Sequence, residues 1–190
     1  MERDLINLAT NNETFFFRDK KPFNFISKYV FAKAKETGSK DIDLWSCACS
    51  CGQEPYSLMM EYKESVYSND FKLNITATDI SSEALNKAKK GNYTSLEVQR
   101  GLPAQLMIKY FTKNTDSTWN VKDDLKKNLT FKYFNILKDL YPSNKYDVIF
   151  CRNVLIYQDH DNKQKIINSL FAALRPGGFL VFGAGESLIG

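Results

Sequence analysis

The chain of 190 residues contains a single histidine, His160. That scarcity excludes a histidine-rich metal site, and a serine or cysteine triad would have to use this one imidazole. Little general-base help from imidazole is expected. No run of about 18 consecutive apolar residues exists, so no membrane span is read. The N-terminal stretch MERDLINLATNNE carries acids and lacks an apolar segment, so it is not read as a signal peptide. Cysteine is limited to Cys47, Cys49, Cys51 and Cys151. Three of them alternate in CACSC, which is neither CxxC nor a zinc-ribbon spacing. Reduced, buried thiols in a cytoplasmic protein are expected, with no metal site. Neither sign of charge dominates: 26 Lys and Arg against 22 Asp and Glu leave +4. Nucleic-acid binding would want a clustered basic stripe instead. Disorder is excluded as the main state by an aromatic content of 14%. The length suits one domain, or one with a small insert, and suffices for a buried core.

What is present reads as alternating strands and helices. Residues 42–49 (IDLWSCAC) read as a strand running into a turn at 50–52. A helix follows from Glu54, with Pro55 in its first turn and Leu58, Met59, Tyr62 and Val66 at helical spacing. LNITAT (73–78) alternates apolar and polar as a second strand, and Asp79 ends it. Ser81 or Ser82 caps a helix that Gly91 stops. Residues 93–127 break the alternation with a helical piece at 102–111 and a polar stretch around Trp119. They read as a small insertion before a strand at 129–134. YDVIFC (146–151) is apolar enough for a strand buried on both faces. Asp159 and Asp161 open the last helix, whose buried stripe is Ile166, Ile167, Leu170, Phe171 and Leu174. Arg175-Pro176-Gly177-Gly178 ends it before the strand GFLVFG. This order predicts an α/β fold with an open, mostly parallel sheet and helices on both faces.

In such sheets ligands bind beyond the carboxyl ends of the strands. The polar residues placed there are 50–54, Asp79, Asn135, Arg152-Asn153 and 183–186. The turn CSCGQEP holds one glycine, Gly52, and no GxGxxG dinucleotide fingerprint. Its small residues allow close backbone approach, and the helix start supplies N–H donors. Asp79 stands where an acid accepts from ribose hydroxyls, although a helix cap is the alternative; Glu54 could equally be an ordinary first-turn acid. A pocket made acidic by Glu54 and Asp79 suits a cationic cofactor free of phosphate. S-adenosylmethionine has that chemistry.

The segments TNNETFFFRD (10–19), WSCACSCGQEPYSLMM (45–60), Ile75–Ile80 with Asp79, RGLP (100–103), DVIFCRNVLIY (147–157) and LRPGGFLVFGAGES (174–187), with the Phe131…Asn135 spacing, resemble a CheR-type chemotaxis receptor methyltransferase. The resemblance implies a Rossmann-like class I S-adenosylmethionine-dependent methyltransferase with a small antiparallel β-subdomain. It implies residues 1–40 as a linker and helix carrying NNETFFFRD, and 41–190 as the cofactor-binding domain with the insert at 93–127. The implied reaction is methylation of glutamate side chains on chemoreceptor cytoplasmic helices, by a cytoplasmic domain expected to act as a monomer. Asn12 and Thr14 match cofactor contacts that, without the resemblance, would read as loop caps. Arg18 matches the arginine near the methyl group and substrate carboxylate. Glu54 and Asp79 match two cofactor acids, Asp79 on the ribose. Asn135-Ile136 and Arg152-Asn153 match positions around the adenine and the cofactor cleft. Tyr157 matches a tyrosine at the catalytic mouth, where residue type alone suggests core. Phe15, Phe16 and Phe17 are expected to pack.

Against the family pattern, Cys47 and Cys51 replace alanine and threonine or serine, and Ala184 stands where histidine is common. The family's N-terminal helical docking domain and its final antiparallel strand are expected to be missing. The polar loop 112–118 has no glycine, which argues against capture of a receptor C-terminal peptide. Two rival readings are a module that binds S-adenosylmethionine or its demethylated product without methylating receptors, and a nucleic-acid methyltransferase. The second would want an NPPY-like motif where CRNVLIY stands.

Overall fold

The computed structural model describes residues 12–186. The start of the expected linker, residues 1–11, and Ser187 of the last family segment lie outside the described residues. Helix α1 runs from Lys20–Phe25 through a π-helical segment, Ile26–Phe31, to Ala32–Glu36. The chain then alternates: β1 Asp41–Cys47, α2 Gln53–Glu64, β2 Lys72–Asp79, α3 Ser82–Lys90. The insert holds β3 Asn92–Thr94, α4 Ser95–Gln99, α5 Ala104–Tyr110, β4 Phe111–Lys113, β5 Thr118–Val121 and α6 Asp123–Lys126. The main sheet resumes with β6 Leu129–Tyr133 and β7 Tyr146–Cys151, then α7 His160–Ala173 and β8 Leu174–Phe182.

The five-stranded sheet has the order β6-β2-β1-β7-β8, and every pairing in it is parallel. Period-two alternation sends neighbouring residues to opposite faces. Leu44, Val148 and Phe150 pack with Phe23, Ile26, Tyr56 and Met59 of α1 and α2 on one face. Trp45, Ile149 and Cys151 pack with Ile166, Ile167 and Leu170 of α7 on the other. The buried indole N–H of Trp45 donates to Thr78 Oγ1 at 2.9 Å, so its burial leaves no donor unmet. A second, antiparallel sheet of order β3-β5-β4 sits in the insert, as the resemblance implied. Its α4 is opened by a capping box between Thr94 and Glu97.

Several sequence expectations shift. β1 ends at Cys47, because Ala48 already has a positive φ of 59°. α2 ends at Glu64 with Ser65 extended, so Val66 lies beyond it, 87% exposed, and is no part of its buried stripe. The helical piece in the insert is shorter than 102–111: Pro103 is its N-cap, and Phe111 begins β4. On α7, Phe171 is more than half exposed, whereas Ile166, Ile167 and Leu170 are buried as expected; Leu174 is buried too, but as the first residue of β8. That helix stops at Ala173, so Arg175-Pro176-Gly177-Gly178 belongs to β8. It forms an irregularity between the pairs Tyr146↔Leu174 and Val148↔Phe179. Ser81, not Asp79, caps α3, accepting from the Ala84 amide, and Gly91 closes that helix. Asp159 caps α7. The four cysteines are free thiols, three of them buried. Burial pushes the Cys49 thiol well up, and a hydrogen bond with Cys47 that holds the Cys151 proton, together with burial, does the same for Cys151.

Candidate active site

The strand order reverses between β1 and β7, and this switch point opens a crevice at their carboxyl ends. A cavity of about 420 Å³ lies there. Its walls come from the strap 12–18, the turn after β1, the end of β2, the loop after β6 and the loop after β7. All ten site residues expected from the sequence border it: Asn12, Thr14, Arg18, Glu54, Asp79, Asn135, Ile136, Arg152, Asn153 and Tyr157. His160 is not among its lining residues.

The backbone around the cavity is held in a costly conformation. Eight described non-glycine residues have positive φ, and five of them lie on its walls or next to them: Phe17, Asp19, Ala48, Ser50 and Asn153. Each such residue costs on the order of 1–3 kcal/mol. At Gly52 (φ +89°) a Cβ would lie 2.7 Å from the Ala88 Cβ, so this turn requires glycine.

Asp79 sits buried at the end of β2. Its Oδ2 accepts from the Ser50 amide at 2.7 Å and its Oδ1 from the Ser81 amide at 2.8 Å. The carboxylate thus ties the β1 turn to β2. Its oxygens offer about four acceptor sites, so capacity remains toward the cavity. Burial raises its pKa, and the backbone amides of Ser81, Ser50 and Ile80 oppose that rise.

Arg152, only 2% exposed at its side chain, lies between two acids. Nη1 donates to Glu54 Oε2 at 2.9 Å, and Nη2 donates to Asp19 Oδ2 at 2.8 Å and to the Arg18 carbonyl at 2.9 Å. Glu54 Oε1 also accepts from Ser46 Oγ at 2.8 Å. Glu54 is therefore no free acid: it is paired with a guanidinium that it shares with Asp19, whereas among the described residues no cation is bonded to Asp79. Arg152 Nε has no hydrogen-bond partner among the described residues, leaving one buried donor at the cavity wall.

The strap is anchored by Phe16. Its ring is fully buried and makes edge contacts with Tyr93 at 5.1 Å and Phe111 at 5.5 Å, both in the insert. The Phe17 amide donates to Ser57 Oγ, and the Ser50 hydroxyl donates to the Asn12 carbonyl at 3.2 Å. Phe16 and Phe17 pack as expected, but Phe15 lines the cavity instead. After β6, Asn135 Oδ1 accepts from the Leu137 amide at 2.9 Å, shaping the loop that presents Ile136. After β7, Tyr157 ends a 3₁₀ turn, 62% exposed at the cavity rim, so the core reading fails for it. That loop is fixed by Glu186, whose carboxylate accepts from the amides of Asn153, Val154, Leu155 and Gly183 at 2.7–2.9 Å. Sequence reasoning assigned no role to Asp19 or Glu186. Their only signal was position: one ends the FFFRD segment, the other follows the last strand.

The profile described as "CheR methyltransferase, SAM binding domain" matches residues 12–190. The chain belongs to the CheR methyltransferase family. Similar curated proteins include "Chemotaxis protein methyltransferase Cher2" of Pseudomonas putida, 36% identical over 195 residues, covering 100% of this chain and 71% of that protein. Another is "Chemotaxis protein methyltransferase" of Borreliella burgdorferi, 37% identical over 194 residues, covering 98% of this chain and 68% of that protein. The solved structure titled "DhpI-SAM-HEP complex" is 14% identical with a TM-score of 0.50, covering 95% of this chain and 64% of that one, and shares the fold. This CheR-family chain is an S-adenosylmethionine-dependent methyltransferase. The cavity fits that cofactor in volume, in the acid at the end of β2 and in the donor left on Arg152. Among the described residues no cluster could hold a metal ion, and no helix is long and apolar enough to cross a membrane.

Proposed function

We propose that the chain methylates glutamate side chains on the cytoplasmic domain of a chemoreceptor, giving glutamate methyl esters, and that it does so in the cytoplasm as a monomer. The observation that carries this reading is the convergence of all ten family-matched positions on one cavity. The names of the curated relatives support the chemotaxis context.

The residues take the following roles. Asp79 accepts from the ribose hydroxyls with the acceptor capacity that Ser50 and Ser81 leave over. Asn12 and Thr14 hold the cofactor from the strap side. Asn135, Ile136 and Asn153 border the adenine. Glu54 and Arg152 hold each other and shape the cleft between β1 and β7. Residues 41–190 form the cofactor-binding unit with its insert at 93–127, and 1–40 supply the strap. The bound cofactor supplies an electrophilic methyl on a sulfonium. A glutamate side chain has a pKa of about 4.3, so it arrives as an anion at neutral pH and needs no base. This agrees with a cavity that no histidine lines. Arg18, on the cavity wall, aligns the incoming carboxylate, and Tyr157 covers the methyl position from the rim. The protein's contribution is orientation and exclusion of water.

Calorimetric titration with S-adenosylmethionine, paired with radiolabelled methyl transfer to receptor cytoplasmic fragments, tests the proposal. Binding with transfer of a base-labile methyl group is expected. Binding without transfer to any fragment identifies a cofactor-binding module instead.

A further inference from the structure

Arg100 follows α4 in the insert and is not among the residues lining the cavity. It nevertheless touches both residues that hold Arg18. Its Nη2 pairs with Glu13 Oε1 at 2.6 Å, and its guanidinium lies 4.5 Å from the centre of the Phe15 ring. Arg18 uses the same two residues differently. Its Nη1 donates to the Glu13 backbone carbonyl at 2.9 Å, and its guanidinium lies 5.6 Å from the Phe15 ring centre. One ring and one residue therefore connect two guanidiniums from different parts of the chain. The backbone enforces the arrangement. Gly101 has φ +86°, and a Cβ there would clash with the Phe16 carbonyl oxygen and lie 3.2 Å from Phe15 Cδ2. Glycine lets the insert's backbone press directly against the strap, which delivers Arg100 to Glu13 and Phe15.

An exposed ion pair of this kind adds little to stability. The side chains of Arg100 and Glu13 are 54% and 55% exposed. Its effect is on direction: a flat guanidinium lying over a ring and held by a carboxylate restricts where Glu13 and Phe15 can sit. Those two restrict the Arg18 side chain, which otherwise has several rotatable bonds and a wide choice of rotamers.

We propose that Arg100 is a positioning residue for methyl transfer, acting through Glu13 and Phe15 to aim the Arg18 guanidinium into the cavity. The inference rests on the role assigned to Arg18 above. It also gives the insert a part in the reaction, because the residue that aims Arg18 is carried by the insert.

The test is a double-mutant cycle on methyl transfer to a receptor cytoplasmic fragment, with cofactor affinity and melting temperature measured for every variant. Arg100→Ala is expected to lower kcat about tenfold, with cofactor affinity within twofold and an unchanged melting temperature. In an Arg18→Ala background the same change is expected to do nothing further. Arg100→Lys keeps the charge but not the planar fork, and is expected to restore turnover in part. An equal loss from Arg100→Ala in both backgrounds, or no loss in the wild-type background, overturns the proposal. Should Arg18→Ala itself retain full turnover, the assignment of Arg18 fails first, and this inference fails with it. Phe15→Leu supplies a second route that leaves the ion pair in place; it is expected to lower kcat and to be non-additive with Arg100→Ala.

Discussion

Arg152 and Glu54 meet across the switch point, Nη1 to Oε2 at 2.9 Å, and so join the loop after β7 to the first turn of α2. Glu54→Ala leaves the buried guanidinium with Asp19 as its one remaining acid. Breaking a buried pair from one side costs about 3–5 kcal/mol, and the Asp19 contact reduces that toward about 2–3 kcal/mol. Urea denaturation is expected to show the loss as a lower midpoint at unchanged slope. A variant within about 0.5 kcal/mol of wild type would mean the pair is not a structural link.

Glu186 holds the opposite end of the same loop. Glu186→Ala leaves four amide donors to water, with an expected cost of about 1–3 kcal/mol. Hydrogen exchange should speed up at the Asn153, Val154 and Leu155 amides more than in the strands. Turnover is expected to fall with it, because Tyr157 and Asn153 lose their fixed position. Unchanged exchange at these three amides would contradict the assignment.

Asp79 sets a pH dependence. Its folded-state pKa is raised from 3.8, chiefly by burial, so the native protein holds this proton more tightly than the unfolded chain does. The residue's contribution to stability is therefore present at low pH and lost as pH rises through the folded pKa. Cofactor binding runs the other way, since the ribose needs the charged acceptor. Affinity should be steady near neutrality and weaken on acidification, starting at a pH above that of an ordinary aspartate. In Asp79→Asn the affinity should be low and this inflection absent. Isothermal titration across pH distinguishes the two patterns.

Two glycines with similar backbone angles separate strain from contact. Gly38 (φ +66°) has nothing within 4 Å of a built Cβ, whereas Gly101 (φ +86°) faces the Phe16 carbonyl and the Phe15 ring. Gly38→Ala should cost about 1–2 kcal/mol, from left-handed backbone alone. Gly101→Ala should cost more and also reduce turnover, because the strap must move. Equal effects on stability and activity would argue that the strap tolerates displacement.

The strands were legible because alternation and short apolar runs mark them: 146–151 matches β7, and 73–78 lies within β2. The helix caps Ser81, Gly91 and Asp159 were legible because side-chain chemistry decides them locally. What stayed hidden depends on contacts between distant segments. Nothing near Asp19 in the sequence announces Arg152, and nothing near Glu186 announces the amides after β7. Tyr157 lies in the apolar run VLIY, which reads as core, yet the 3₁₀ turn carries it to the rim. The pairing of Glu54 was hidden for the same reason: its partner, Arg152, lies 98 residues further along the chain. Glu54, Asp79, Asn135, Arg152 and Asn153 were legible as positions beyond strand ends, whereas Asn12, Thr14, Arg18, Ile136 and Tyr157 came from motif resemblance; residue type alone left Asn12, Thr14, Glu54, Asp79 and Tyr157 with structural alternatives.

The most direct test of the central claim is transfer of a radiolabelled methyl group from S-adenosylmethionine to a chemoreceptor cytoplasmic fragment, followed by mild base. The account predicts label on glutamate that base releases as methanol, reduced strongly by Arg18→Ala while cofactor binding persists. Label that resists base, or full labelling by Arg18→Ala, would contradict it.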